Sequence, residues 1–141
     1  MFISTSTCSF KCEAESGICC CQNSDLAKAP KIDVSIKMII GRYISNPITQ
    51  SICFGGLEPI DQFSEICEFI NTLRTLYYCN DDVVIYTGYK KNEISSEVDI
   101  LREWPNIIVK FGRYVPGQEP HFDPVLGVKL ASDNQYGEVI S

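Results

Sequence analysis

The chain has 141 residues, 45% hydrophobic and 11% aromatic, and a formal net charge of −6. That length suits a single domain over 1–141 with its own buried core, and the composition is ordinary for a globular protein. The negative charge argues against tight nucleic-acid binding, which rests on neutralising phosphates, and no apolar run reaches the roughly 18–20 residues needed to span a bilayer.

Residues 2–7 (FISTST) are short and β-branched and predict a first strand. The strand runs into a connection over residues 8–32 that carries Cys8, Cys12, Cys19, Cys20 and Cys21. Three adjacent cysteines do not all point inward from one short segment, so packing is a poor explanation for them. No apolar leader stands ahead of Cys8, so a cytoplasmic location is expected, and clustered thiols there more often hold metal or do redox chemistry than form disulfides. A structural zinc site built from four of these thiols is the other reading.

Ile36, Ile39, Ile40, Tyr43 and Ile44 follow helical spacing, and Asn46-Pro47 stops the helix. Residues 49–54 predict a second strand, ended by Gly55-Gly56. Phe63, Ile66, Cys67, Ile70, Leu73 and Tyr77 mark one face of a second helix, with Pro59 suited to its first turn. Residues 83–87 (VVIYT) predict a third strand, continuous and apolar as in a parallel sheet covered on both faces. Ile94, Val98, Leu101 and Trp104 mark a third helix, closed by Pro105. Residues 107–111 (IIVKF) predict a fourth strand, and a loop over 112–124 leads to a fifth at 126–130. Alternating strands and helices imply an α/β fold with a mostly parallel sheet of about five strands. Ligands of such sheets sit outside the carboxyl ends of the strands. The cysteines, Gly55-Gly56, Thr87-Gly88 and Gly112 each follow a predicted strand, so all belong to one rim.

Those rim segments carry a resemblance. The first strand feeding Cys8-x3-Cys12, with a later cysteine followed by Gln22-Asn23, resembles the cluster loop (8–24 here) of the radical S-adenosylmethionine enzymes. Within them the chain looks like the small activating proteins of anaerobic ribonucleotide reductase. FGGLEP (54–59) is similar to their Gly-Gly-acidic-Pro motif, and IYTGY (85–89) to their third strand. NIIVKFGRY (106–114) resembles their fourth strand, and LASDNQ (130–135) their Ser-Asn-Gln segment. Three positions depart from the pattern. Glu15 stands where a C-x3-C-x2-C loop would place its third cysteine, Leu57 separates Gly56 from Glu58, and Lys110-Phe111 replaces an Asp before the fourth-strand Gly.

The resemblance implies a compact, partial (β/α) barrel-like sheet of radical S-adenosylmethionine type. It implies a [4Fe–4S] cluster on Cys8, Cys12 and Cys21, with Cys20 as the alternative third ligand. The open iron would chelate S-adenosylmethionine, and an electron from the cluster would cleave it to a 5′-deoxyadenosyl radical. Gly55 and Gly56 would let backbone approach the methionine moiety, Glu58 would accept from its amino group, and Thr87 is a further cofactor-contact candidate. Glu58 has a second reading as an acid at a helix start, and Ser132 to Gln135 would close the pocket or form a polar tail. The implied partners are a glycyl radical enzyme such as anaerobic ribonucleotide reductase and a flavodoxin- or ferredoxin-type electron donor. A different radical enzyme or an electron-transfer iron–sulfur protein would also keep such a loop. His121, the only histidine, reads as a surface residue, and Cys53, Cys67 and Cys79 as small buried hydrophobes.

Overall fold

The computed structural model describes residues 1–141. Strand β1 (Phe2–Thr5) leads into three helices, α1 (Lys11–Ser16), α2 (Ser24–Lys28) and α3 (Ile36–Ile44). Then come β2 (Ser51–Gly56), α4 (Phe63–Thr75), β3 (Asp82–Tyr86), α5 (Ser95–Leu101) and β4 (Ile107–Phe111). The chain closes with β5 (His121–Asp123), β6 (Val128–Leu130) and β7 (Tyr136–Val139). The main sheet has the order β1-β2-β3-β4-β7, with the first four strands parallel and β7 antiparallel to β4. This is an open, mostly parallel α/β sheet with β1 and β7 as its edges.

Helices α3, α4 and α5 pack on one face. Ile52 and Phe54 of β2, Val83 and Ile85 of β3, and Ile107, Val109 and Phe111 of β4 alternate into a core shared with Ile40 and Tyr43 of α3. Ile66, Phe69, Ile70 and Leu73 of α4 and Val98 and Leu101 of α5 complete that core. Burying each such side chain contributes about 1.5–3 kcal/mol. The Ser35 hydroxyl caps α3 by accepting from the Met38 amide at 3.3 Å.

Two expectations are corrected here. Val84 and Tyr86 are only half-buried, so the third strand is covered by helices on one face and not on both. Residues 128–130 do not extend the main sheet; β6 pairs with β5 in a separate hairpin, and β7 supplies the fifth strand. The cause lies in two turns. The Asp123 carboxylate accepts from the Leu126 amide at 2.8 Å, and Gly127, at φ 67°, reverses the chain into β6. At the next turn the Gln135 side-chain carbonyl accepts from the amides of Ala131 and Ser132, which sends β7 back beside β4.

Smaller differences follow from packing. Ile44 is half exposed, whereas Phe69 joins the buried face of α4. Cys53, Cys67 and Cys79 are half-buried and lie outside the cysteine cluster's cleft. His121 is half-buried in β5, with its Nδ1 enclosed and unpaired. No helix is long and apolar enough to cross a membrane.

Candidate metal centre

A cleft of about 480 Å³ opens on the face of the sheet away from α3, α4 and α5, at the carboxyl ends of the parallel strands. Cys8, Cys12, Cys20 and Cys21 line one side, and Gly55, Gly56, Glu58 and Thr87 line the rim of β2 and β3. Lys110 projects into it from β4. The segments that sequence reasoning placed on one rim therefore share one space.

Cys8 follows β1 directly, and its sulfur accepts from the Phe10 amide at 3.3 Å. Phe10 takes the left-handed conformation, φ 51°, which turns the chain into α1 and sets Cys12 on that helix. Gly17, at φ 70°, ends the helix and sends the chain back through the three adjacent cysteines. Their environments differ. Cys19 is exposed and outside the cleft, with its thiol donating to Glu13 Oε1 at 3.2 Å. Cys20 reaches the cleft but its sulfur lies 3.3 Å from the Ser16 hydroxyl and 3.7 Å from the Cys12 carbonyl. Cys21 lines the cleft with its amide held by Glu13 Oε1 at 3.2 Å.

All eight cysteines are free thiols. Burial raises the pKa of Cys8, with Glu58, Asp61 and Cys21 adding to the rise and the Phe10 amide opposing it. Burial, then the neighbouring Cys21 and Cys20, pushes Cys12 up to about 11. Thiols crowded in this way resist ionising until a cation arrives, and metal binding drives off their protons. Cys21 is the thiol whose charge is felt by both Cys8 and Cys12. No three His, Cys, Asp or Glu side chains form a group that would hold a single metal ion. The thiols instead face a common space, and an all-sulfur donor set of this kind fits an iron–sulfur cluster.

The glycine rim is built by contacts within the protein. The Asn23 side-chain amide donates to the Gly56 carbonyl at 2.6 Å, fastening the cysteine loop to β2. A Cβ on Gly56, where φ is 83°, would lie 2.3 Å from the Ser4 hydroxyl and 2.8 Å from Leu26 of α2. A Cβ on Gly55 would meet the Phe2 ring at 2.9 Å. Gly56 thus requires glycine, whereas at Gly55 the exposed Phe2 ring can swing aside; both line the cleft.

Glu58 is buried, 6% exposed. Its Oε1 accepts from the Thr87 hydroxyl at 2.7 Å and the Ile60 amide at 3.1 Å, and its Oε2 from the Gly88 amide at 2.8 Å. Its own amide donates to the Thr7 carbonyl at 2.8 Å. Glu58 therefore brackets three strand ends together and also caps the 3-10 turn at Pro59–Gln62. Burial raises its pKa, against the lowering effect of those three donors.

Lys110 lines the wall of the cleft. It is 7% exposed, and its ammonium donates to the carbonyls of Gly112 and, at 3.4 Å, Thr87. No carboxylate lies in salt-bridge contact with it, and burial pushes its pKa down to about 8 against the opposing charge of Glu58. Ser132 and Gln135 are buried in the turn before β7, and Gln135 Nε2 donates to the Gly112 carbonyl at 3.2 Å. They do not form a polar tail, and Gln135 lines the cleft. Sequence reasoning missed Arg113 and Glu93, whose carboxylate–guanidinium pair (2.9 to 3.0 Å) borders the cleft behind α1. The Arg-Tyr following Gly112 was visible, but nothing local identified the partner twenty residues away.

The family model described as 4Fe-4S single cluster domain matches residues 1–126. The chain belongs to that family and is a [4Fe–4S] protein, in agreement with the thiol-lined cleft. No curated protein and no solved structure matches the chain.

Proposed function

We propose that this chain is a radical S-adenosylmethionine protein that generates a glycyl radical on a partner enzyme of the anaerobic ribonucleotide reductase type. The observation that carries this reading is the shared cleft. Cluster-loop thiols and the Gly55-Gly56 rim line a single space of about 480 Å³, large enough for a cluster and an adjoining small cofactor.

In this reading Cys8, Cys12 and Cys21 hold the cluster. Cys21 is favoured over Cys20 because the latter's sulfur is engaged by Ser16 and the Cys12 carbonyl. When bound, such a cluster supplies one electron for reductive cleavage of the sulfonium and leaves one iron open to ligand. Gly55 and Gly56 present backbone without side chains to the cofactor. Thr87 and Gly88 are held in register by Glu58, which acts as a bracket with little acceptor capacity to spare. Lys110 provides a buried positive charge on the cleft wall for an anionic group of the ligand. The loop over 112–124 and the open side of the sheet would receive the partner's glycine segment, and a flavodoxin- or ferredoxin-type protein would deliver the electron.

The test is anaerobic reconstitution with iron and sulfide, reduction, and addition of S-adenosylmethionine. Formation of 5′-deoxyadenosine, lost in Cys8→Ala, Cys12→Ala and Cys21→Ala, supports the reading. A fully loaded, reducible cluster with no 5′-deoxyadenosine would reduce it to an electron-transfer protein. If the small product forms but no candidate glycyl radical enzyme acquires a glycyl signal, another radical enzyme is the better description.

A further inference from the structure

We infer that Arg113 is a positioning residue for the cluster: it clamps α1 through Glu15 and Glu93, sets the pose of Cys12, and holds the Glu15 carboxylate away from the metal. The inference rests on cluster binding alone and not on the radical reading.

Helix α1 has only six residues and buries none of them. A helix this short has no stability of its own, and it has no apolar face docked on the core. Polar contacts must therefore fix the element that presents Cys12. Lys11 and Glu15 lie four residues apart, one turn along the same face. Lys11 Nζ stands 3.9 Å from Glu93 and 4.3 Å from the centre of the Tyr89 ring. Glu15 Oε1 lies 3.3 Å from Nη2 of Arg113.

Arg113 is built for this task. Its side chain is 4% exposed, and its guanidinium grips both oxygens of Glu93 at 2.9 to 3.0 Å. Glu93 is itself fixed by the Lys90 amide at 2.7 Å. Two cations and two carboxylates thus balance, with the planar fork of arginine supplying directional bonds that lysine would not reproduce. Asn134 anchors the backbone of the same residue by donating to the Arg113 carbonyl at 3.0 Å.

Glu15 lies three residues after Cys12 and on the same side of the helix. A free carboxylate one helical turn from Cys12, beside which it lines a second, smaller pocket, would compete for iron. Pairing with a buried guanidinium leaves ligation to the thiols.

The experiment compares the reconstituted protein with Arg113→Gln, Arg113→Lys, Glu15→Gln and the double variant Arg113→Gln/Glu15→Gln. Three quantities are measured anaerobically: iron loss to a ferrous chelator, the midpoint potential with the resonance line shape of the reduced cluster, and the denaturation midpoint of the metal-free protein. Arg113→Gln is expected to speed iron loss by about tenfold or more, the scale on which residues behind metal ligands act. It should also shift the potential and line shape. Arg113→Lys should recover part of the loss. Glu15→Gln should have a smaller effect on iron loss and restore the line shape when combined with Arg113→Gln, because the competing carboxylate is gone. If Arg113→Gln does not fold, Glu15→Gln alone decides, since its side chain is 54% exposed and its removal spares the fold. Unchanged iron loss, potential and line shape in the folded variants would overturn the inference. An unchanged line shape with only a lowered denaturation midpoint would do so too, reducing Arg113 to a fold-stabilising residue.

Discussion

The Asn23 side chain donates to the Gly56 carbonyl at 2.6 Å, so the cysteine loop and the glycine rim of β2 are tied together directly. Neither α1 nor α2 contributes a buried residue, which leaves the loop dependent on such polar ties. Asn23→Ala should loosen residues 8–24 by about 0.5–1.5 kcal/mol, the net worth of one hydrogen bond. The expected outcome is faster proteolysis within the loop and faster iron release, with an unchanged denaturation midpoint for the sheet.

Glu58 joins the ends of β2 and β3 through Thr87 and Gly88. Glu58→Ala leaves the Thr87 hydroxyl and the amides of Gly88 and Ile60 without their acceptor. A loss of about 3 kcal/mol is expected in denaturant unfolding of the metal-free protein. Glu58→Gln retains one acceptor oxygen and should lose less. Equal stability of the alanine variant and the parent would remove Glu58 from this bracketing role.

Gly56 has a left-handed backbone and no room for a side chain beside Ser4 and Leu26. Gly56→Ala should cost about 1–3 kcal/mol from strain and crowding. Because Leu26 belongs to α2, the substitution should also displace the cysteine loop, visible as reduced iron occupancy after reconstitution. Full occupancy with native stability would mean that the close approach to Ser4 and Leu26 is unimportant.

Lys110 gives a pH signature. Burial lowers its folded pKa to about 8 from the ordinary 10.5. Below pH 8 both folded and unfolded chains carry the charge, and the folded state bears the full cost of burying it. Between these values the unfolded chain binds more protons, so this contribution to stability rises with pH. The denaturation midpoint of the parent should therefore gain on that of Lys110→Met from pH 8 to 10, a comparison that cancels the cysteines and tyrosines common to both. A constant difference across that range would contradict the buried-cation account.

Much of the scaffold was legible because its signals are local. Residues 107–111 form the fourth strand as their apolar run indicates, whereas the second strand runs through Gly55 and ends on the left-handed Gly56, two residues past the expected bound. The convergence of the rim followed from the βα alternation. The antiparallel return of β7 was not legible, since it depends on how Asp123 and Gln135 shape two turns. The Arg113–Glu93 pair and the Glu58–Thr87 bond join residues 20 and 29 positions apart, and no periodicity reports such contacts. The one-sided cover of the sheet was hidden for a related reason. Val84 and Tyr86 are apolar on a strand face that opens onto the cleft, so their composition mimics a strand buried on both sides.

The proposed function puts S-adenosylmethionine beside the [4Fe–4S] cluster in the thiol-lined cleft. The most direct measurement is the electron paramagnetic resonance spectrum of the reduced, reconstituted protein with and without S-adenosylmethionine. The account predicts a reduced-cluster signal whose line shape changes on addition of the cofactor and disappears in Cys21→Ala. A signal indifferent to S-adenosylmethionine, or stoichiometric zinc with no iron uptake, would contradict it.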